Sequence, residues 1–312
     1  MPPPFECAPV QKLAGAPTLL TGRDRREFLT QQADTKERSV QMTQFPRIED
    51  SAEGLSSRPM RDLRLGALDA VVIREVLTAG EAAVLVDALA RNLDDFERTD
   101  FPAPFRSHFL GRNLNLQEPD LDRYFAAEPR FRSSFAALGK RIGQDLETEL
   151  LNRLRELDDV ASYRAAPGER AGTRHFFTTA REHRPGGYIP AHFDNEQATR
   201  PTYAQIARLT TGDIFSFVLT LSTAEIGGHL ELIELRAGAG ADGFRADDRL
   251  RGGVSLEGMA RHPIIVPAGT LVAVASGRLL HRVVPVEGTR SRWTLCSFLA
   301  TARRDDLVYC WG

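Results

Sequence analysis

Short apolar runs punctuated by glycine and proline fill the second half of the chain, and longer helical stripes fill the first. Ala70-Val71-Val72-Ile73 is a β-branched run suited to a strand. Thr78, with Glu81 three residues on, has the capping-box spacing that starts a helix, and Ala82, Leu85, Val86 and Leu89 then share one helical face. A second helical region runs from Asp120 to Leu157. Pro129 is expected to interrupt it, with Phe131, Phe135, Leu138, Ile142 and Leu146 keeping helical spacing beyond. That stripe reads as core.

From Thr173 the texture changes. The pieces TRHFFTTA, YIPAHFD, IFSFVLTLS, HLELIEL, HPIIVPAG, TLVAVA, LLHRVVPV and RWTLCSFLAT are short, β-rich and separated by turn signals such as Gly186-Gly187, Gly227-Gly228 and Gly277. Many short strands with regular turns predict a sandwich or barrel of the jelly-roll type. The fold class is therefore α+β with a mainly β core. Helical support is expected over about 59–172 and the jelly-roll core over about 173–312, as one domain. Residues 1–58 are rich in Pro, Ser, Thr and Gln without a period and read as a poorly ordered leader. The glycine-rich stretch 236–253 reads as a surface loop between strands.

Composition narrows the classes. The 312 residues are 42% hydrophobic and 26% charged, with a net charge of -2. That balance argues against nucleic acid as a partner, because phosphate binding needs a basic excess. No long apolar run marks a membrane span and no signal peptide is evident. Cys7, Cys296 and Cys310 are too few and too scattered for a disulfide framework, so a reducing cytoplasm is the expected compartment.

Candidate chemistry gathers in the strand-rich half. His192 and Asp194 are two apart, and in a strand such residues face the same side. His281 lies in a later strand that a folded-back sheet can return to the first pair. Two imidazoles and one carboxylate form the facial set that holds non-haem Fe(II) while leaving positions open. Arg290 and Arg292, also two apart, can present a guanidinium fork to a carboxylate. The remaining histidines, 108, 175, 183, 229 and 262, have no paired spacing; His175, His229 and Tyr188 are lesser candidates to line the site.

The segments AHFDNE, GGHLEL, VPAGTLVAV and LLHRVVPVEGTRSRWTLCSFLA together resemble the Fe(II)/2-oxoglutarate-dependent dioxygenase superfamily, whose core is a double-stranded β-helix. The closing RRDDLVYCWG and the upstream EPDLDRYFAAEPRFRSSF further resemble the carrier-independent aliphatic halogenases of indole-alkaloid biosynthesis and their hydroxylase relatives. The resemblance implies His192, Asp194 and His281 as metal and catalytic residues. It also implies Arg292 or Arg290 as the anchor of the 2-oxoglutarate carboxylate, Arg292 preferred, with Thr294 adding a hydroxyl. Fe(II), 2-oxoglutarate and O2 are the implied cofactors. In those halogenases glycine replaces the carboxylate ligand and chloride takes its place; here Asp194 is present, which implies hydroxylation rather than chlorination. The expected substrate is a small molecule, an amino-acid derivative or specialised metabolite. A peptidyl hydroxylase and a cupin-like metal sensor without oxidative activity are the alternatives.

Overall fold

The computed structural model describes residues 45–91, 95–114, 121–238, 255–304 and 306–312. Strand β1 (Ile48–Asp50), helix α1 (Pro59–Leu65), β2 (Ala70–Ile73) and helix α2 (Ala79–Arg91) come first, then β3 (Arg98–Asp100) and β4 (Ser107–Leu110). Helices α3 (Asp122–Lys140) and α4 (Leu146–Glu156) lead to β5 (Ser162–Ala165), β6 (Thr179–His183) and β7 (Ile189–His192). A 3-10 turn (Asp194–Thr199) and helix α5 (Ala204–Leu209) follow. The rest is strand: β8 (Thr210–Ser222), β9 (Ile226–Gly227), β10 (Leu230–Arg236), β11 (Arg261–Ile264), β12 (Leu271–Val274), β13 (Leu279–Val283), β14 (Val286–Glu287), β15 (Arg292–Ala302) and β16 (Leu307–Trp311).

The strands form a large sheet in the order β1-β2-β12-β8-β15-β6-β4-β3, with β16 also on β15 and β5 on β16. A smaller sheet runs β11-β10-β13-β7. Alternation along β2 shows how the layers stack. Ala70 and Val72 pack with Leu230, Leu232 and Ile264 of the smaller sheet, whereas Val71 and Ile73 join the cluster containing Leu85, Leu89, Phe131 and Phe135 of the helices. Both faces of this strand are buried, so its sequence reads as an unbroken apolar run. The architecture is a jelly roll whose large sheet is backed by helices, as the strand pattern predicted.

Local details follow sequence chemistry. The Thr78 hydroxyl accepts from the Glu81 amide at 3.2 Å, and the Glu81 carboxylate accepts from the Thr78 amide at 2.7 Å, completing the box at the start of α2. Pro129 does not interrupt its helix: α3 continues through it to Lys140. Proline removes one intrahelical hydrogen bond, but burial of Tyr124, Phe125, Phe131, Phe135 and Leu138 on one face holds the helix together. The break comes after Lys140, where Gly143 takes a φ of 73°, so Ile142 and Leu146 do not continue the α3 stripe. Arg174 ties both helices to the sheet side, its guanidinium donating to Glu128 at 2.7 Å and to Glu147 at 2.5 Å.

The expected leader boundary at 58 falls too late. Residues 45–58 are part of the fold, because β1 pairs in parallel with β2, Ile48 opposite Ala70. Residues 1–44 and most of the glycine-rich stretch, 239–253, lie outside the described residues. No helix among the described residues is long and apolar enough to cross a membrane.

Candidate metal centre

His192 ends β7 and His281 sits in the middle of β13, directly opposite it in the antiparallel pairing. Their rings are 4.3 Å apart between centroids. Each ring is fixed by its Nδ1, at 2.8 Å from the carbonyl of Pro190 for His192 and 3.1 Å from that of Leu279 for His281. A carbonyl oxygen only accepts, so both Nδ1 atoms carry a proton and both Nε2 atoms point inward, where a metal can take the place of the proton that His192 Nε2 shares with Asp194. Ligation through Nε2 needs the proton on Nδ1.

Asp194 completes the group. Its carboxylate lies 3.3 Å from His192 Nε2 and 3.9 Å from His281 Nε2, and one donor atom from each of the three residues falls within 4.8 Å of the others. Donors about 2.1 Å from one ion at right angles stand about 3 Å from each other, so small side-chain movements suffice to close on a metal. The route to this geometry differs from the expectation. Asp194 does not continue the strand; it opens the 3-10 turn, and its amide donates to Ser276 O at 3.0 Å. The turn, rather than strand alternation, brings the carboxylate to the imidazoles.

Electrostatics favour a cation here. Burial works against ionisation of Asp194, but His192, His281 and the Ser276 hydroxyl outweigh it and hold its pKa at about 2. Burial lowers the His281 pKa to about 4, assisted by the charge of His192, so His281 is neutral at physiological pH. Burial works against charging His192, but the Asp194 carboxylate outweighs it and raises its pKa, so a metal binds here by displacing a proton from His192. Two imidazole nitrogens and an ionised carboxylate then form the donor set that suits a divalent first-row metal, and leave one face of an octahedron open. Glu196 is not part of the cluster.

The two arginines separate cleanly. Arg292 is buried, 6% exposed, on the inner face of β15, and no described carboxylate lies within ion-pair distance of it. Burial lowers its pKa to about 10, leaving it charged at neutral pH. It lines a cavity of about 630 Å³ between the sheets. That cavity shares Val218 and Leu230 with a smaller chamber of about 60 Å³ containing His192, Asp194 and His281. Arg290 is exposed before the strand begins, and its guanidinium donates to Ala224 O at 3.3 Å. Thr294 is fully buried, two residues along from Arg292, with its hydroxyl 3.3 Å from Cys296 Sγ.

Three lesser candidates fall elsewhere. His175 is buried against Tyr124 and Phe125, 3.1 Å from Gln205 Oε1, in the helix-side core. Tyr188 packs on Phe105. His229 lines the larger cavity beside Arg292, not the metal chamber.

Sequence reasoning missed Arg181 and His183. Both lie on β6, opposite Thr294 and Arg292 respectively. Arg181 lines the metal chamber, and His183 is buried with its Nδ1 against the Ser107 hydroxyl. The strand was expected at TRHFFTTA; the paired segment begins only at Thr179, so the alternating pair in TAREH was left out. The signal was the spacing itself, Arg181-x-His183.

A model of the carrier-protein-independent halogenase WelO5 family matches residues 45–312. No curated protein sequence matches. Among solved structures, the N-substituted L-amino acid dioxygenase of Burkholderia ambifaria AMMD in complex with alpha-ketoglutarate is 14% identical, with a TM-score of 0.48, covering 81% of this chain and 90% of its own. HygX of Streptomyces hygroscopicus with nickel and 2-oxoglutarate is 15% identical, with a TM-score of 0.43, over 76% of this chain and 85% of its own. The epimerase SnoN of nogalamycin biosynthesis is 15% identical, with a TM-score of 0.40, over 77% and 83%.

Proposed function

The chain belongs to the WelO5 family of carrier-protein-independent halogenases, within the Fe(II)/2-oxoglutarate-dependent oxygenases, and from that premise we propose that it hydroxylates an unactivated C–H bond of a small molecule. Its cofactors are Fe(II) and the cosubstrate 2-oxoglutarate, with O2 as oxidant. The observation that carries the hydroxylation reading is Asp194, whose carboxylate stands among the two imidazoles where a halide ligand would otherwise bind.

His192, Asp194 and His281 would hold the iron, with two Nε2 atoms and one carboxylate oxygen as donors. Iron bound there would supply the activation of O2 that couples oxidative decarboxylation of 2-oxoglutarate, to succinate and CO2, to substrate oxidation. Arg292 is the partner for the distal carboxylate of the cosubstrate: a buried, charged guanidinium is matched by an anion there, and the geometry of the fork permits two parallel hydrogen bonds. Thr294 lies one step further along the same face and offers a hydroxyl to the same end of the molecule. The Nδ1 bonds to Pro190 and Leu279 keep both imidazoles in the donor tautomer through the cycle. Asp194 occupies the third protein position and so denies it to chloride. A sensor without oxidative activity would have no use for an arginine buried beside the metal chamber.

The test is mass spectrometry of candidate metabolites and peptide pools after anaerobic Fe(II) loading and exposure to isotopically labelled O2 with 2-oxoglutarate and chloride. A product carrying one labelled oxygen, with stoichiometric succinate, is expected from a small molecule. A chlorinated product from the unmodified protein would overturn the reading, and turnover confined to peptides would move the enzyme to the protein hydroxylases.

A further inference from the structure

Resting on the reading above, we propose that the substrate carries a carboxylate and that Arg181 is the residue that holds it. Arg181 lines the same chamber as His192, Asp194 and His281, on the inner face of β6. It stands between Thr294 of β15 and Phe109 of β4, its register partners on either side. Its guanidinium lies over the Phe109 ring at 4.3 Å and near the Phe101 ring at 5.7 Å, which fixes its plane without supplying a counter-charge. Nε is buried with no hydrogen-bond partner, and no described carboxylate lies within ion-pair distance of the group. The adjacent acid, Glu182, points to the other face, where it lies 3.3 Å from His108 Nδ1 and 3.2 Å from Arg184 Nε.

Charge counting then selects the ligand. With iron and cosubstrate bound, the divalent ion and Arg292 offset the carboxylates of Asp194 and of the 2-oxoglutarate dianion, and the two histidines are neutral. Arg181 is left as the cation without a partner. Arg181 is half-buried, but its Nε is buried without a hydrogen-bond partner, and an anion that enters with the substrate supplies one. The two arginines also divide by position. Arg292 lines the larger cavity, at the end of the cosubstrate remote from the metal, whereas Arg181 lines the chamber of the metal itself. A carboxylate on Arg181 therefore places the rest of its molecule beside the reacting face, and the planar fork restricts its orientation. Arg181 would be a specificity-determining residue, selecting acids over their neutral analogues.

The test uses the full-length protein loaded anaerobically with Fe(II) and 2-oxoglutarate, whose visible charge-transfer band reports both cosubstrate binding and ligands entering the metal chamber. The probes are N-acetyl-L-leucine and N-acetyl-L-phenylalanine, each against its carboxamide. The acids are expected to perturb the band with affinities about 10- to 100-fold above the carboxamides, the range for one charge-assisted hydrogen-bonded pair. Arg181→Gln is expected to erase that preference and Arg181→Lys to keep part of it, while the 2-oxoglutarate dissociation constant moves less than about 3-fold. Equal or absent binding of acids and carboxamides by the unmodified protein overturns the proposal, and this comparison needs no variant to fold. A preference that survives Arg181→Gln also overturns it. A 2-oxoglutarate affinity that collapses in Arg181→Gln assigns the residue to the cosubstrate instead. Failure of the band to form at all in the unmodified protein, by contrast, strikes the proposed function and takes this inference with it.

Discussion

His192 and His281 are direct partners across two antiparallel strands, their rings 4.3 Å apart and each anchored by Nδ1 to a carbonyl two residues earlier on its own strand. The two nitrogens that face the chamber are therefore set by sheet register. A one-residue slip of β13 against β7 would turn one imidazole to the other face and dissolve the centre.

Metal should stabilise the native chain through these atoms. At a free Fe(II) concentration about 100 times the dissociation constant, unfolding free energy is expected to rise by about 2.7 kcal/mol. His281→Ala should lose this gain and bind substoichiometric iron by elemental analysis, while its metal-free melting point stays close to that of the unmodified protein.

On the proposed reading, Asp194 fills the third protein position of the metal and sets the kind of ligand accepted there. Asp194→Gly is expected to lower hydroxylation at least about 100-fold, a loss near 2.7 kcal/mol of transition-state stabilisation, and to retain 2-oxoglutarate binding. Chloride should then perturb the visible spectrum of the iron form, which it should not do with Asp194 in place. Full hydroxylase activity in this variant would remove Asp194 from the ligand set.

Arg292 and Arg290 should behave oppositely despite their proximity in sequence. Arg292→Met is expected to raise the KM for 2-oxoglutarate by about 10- to 100-fold, the worth of a charge-assisted pair at a buried site. Arg290→Met, at an exposed residue whose guanidinium donates to Ala224 O, should change it less than about 3-fold. Steady-state succinate release against 2-oxoglutarate concentration separates the two.

Gly277 packs beneath the turn that carries Asp194. A Cβ there would stand 2.1 Å from Asn195 Oδ1 and 2.5 Å from Ile214 O. Asn195 Oδ1 accepts from the Ile214 amide at 2.9 Å, and the preceding Ser276 O holds the Asp194 amide. Gly277→Ala should cost about 1–3 kcal/mol of stability by overpacking. It should also weaken metal binding by about 10-fold as Asp194 is displaced, measured by denaturant titration alongside metal titration.

Acid sensitivity should trace in part to His175, which is far from the chemistry. Burial lowers its pKa to about 4 from the ordinary 6.5, against the opposing hydrogen bond to Gln205. Between those values the unfolded chain takes up a proton that the folded chain refuses. The contribution is thus intact above about pH 6.5 and is lost as pH falls toward 4. By pH 5 the loss from this residue is about 2 kcal/mol. Urea unfolding at pH 7 and pH 5 should show a smaller drop for His175→Gln than for the unmodified chain.

Much of the fold was legible because strands and turns leave local marks. All eight apolar pieces after Thr173 overlap a strand, and the Thr78–Glu81 box opens α2 as its spacing predicts. Pro129 misled because its local penalty is small beside the apolar surface that α3 buries. The convergence of His192, Asp194 and His281 was also legible, although the step that aims Asp194 is a 3-10 turn and not an extended strand. Arg181 left only the spacing Arg181-x-His183 as a local mark: its importance lies in the company it keeps across β15 and β4, and neither partner is near it in sequence.

By itself the sequence determined residue chemistry and local periodicity: which side chains could ligate a metal, where strands alternate, and that a carboxylate stands at position 194. Tertiary structure decided burial and charge balance. It put Arg292 inside and Arg290 outside, placed Arg181 in the metal chamber, and brought residues 45–58 into the sheet edge. Those outcomes depend on which faces of distant strands meet, and on how much water and how many counter-charges remain once they have met, quantities that no window of neighbouring residues contains.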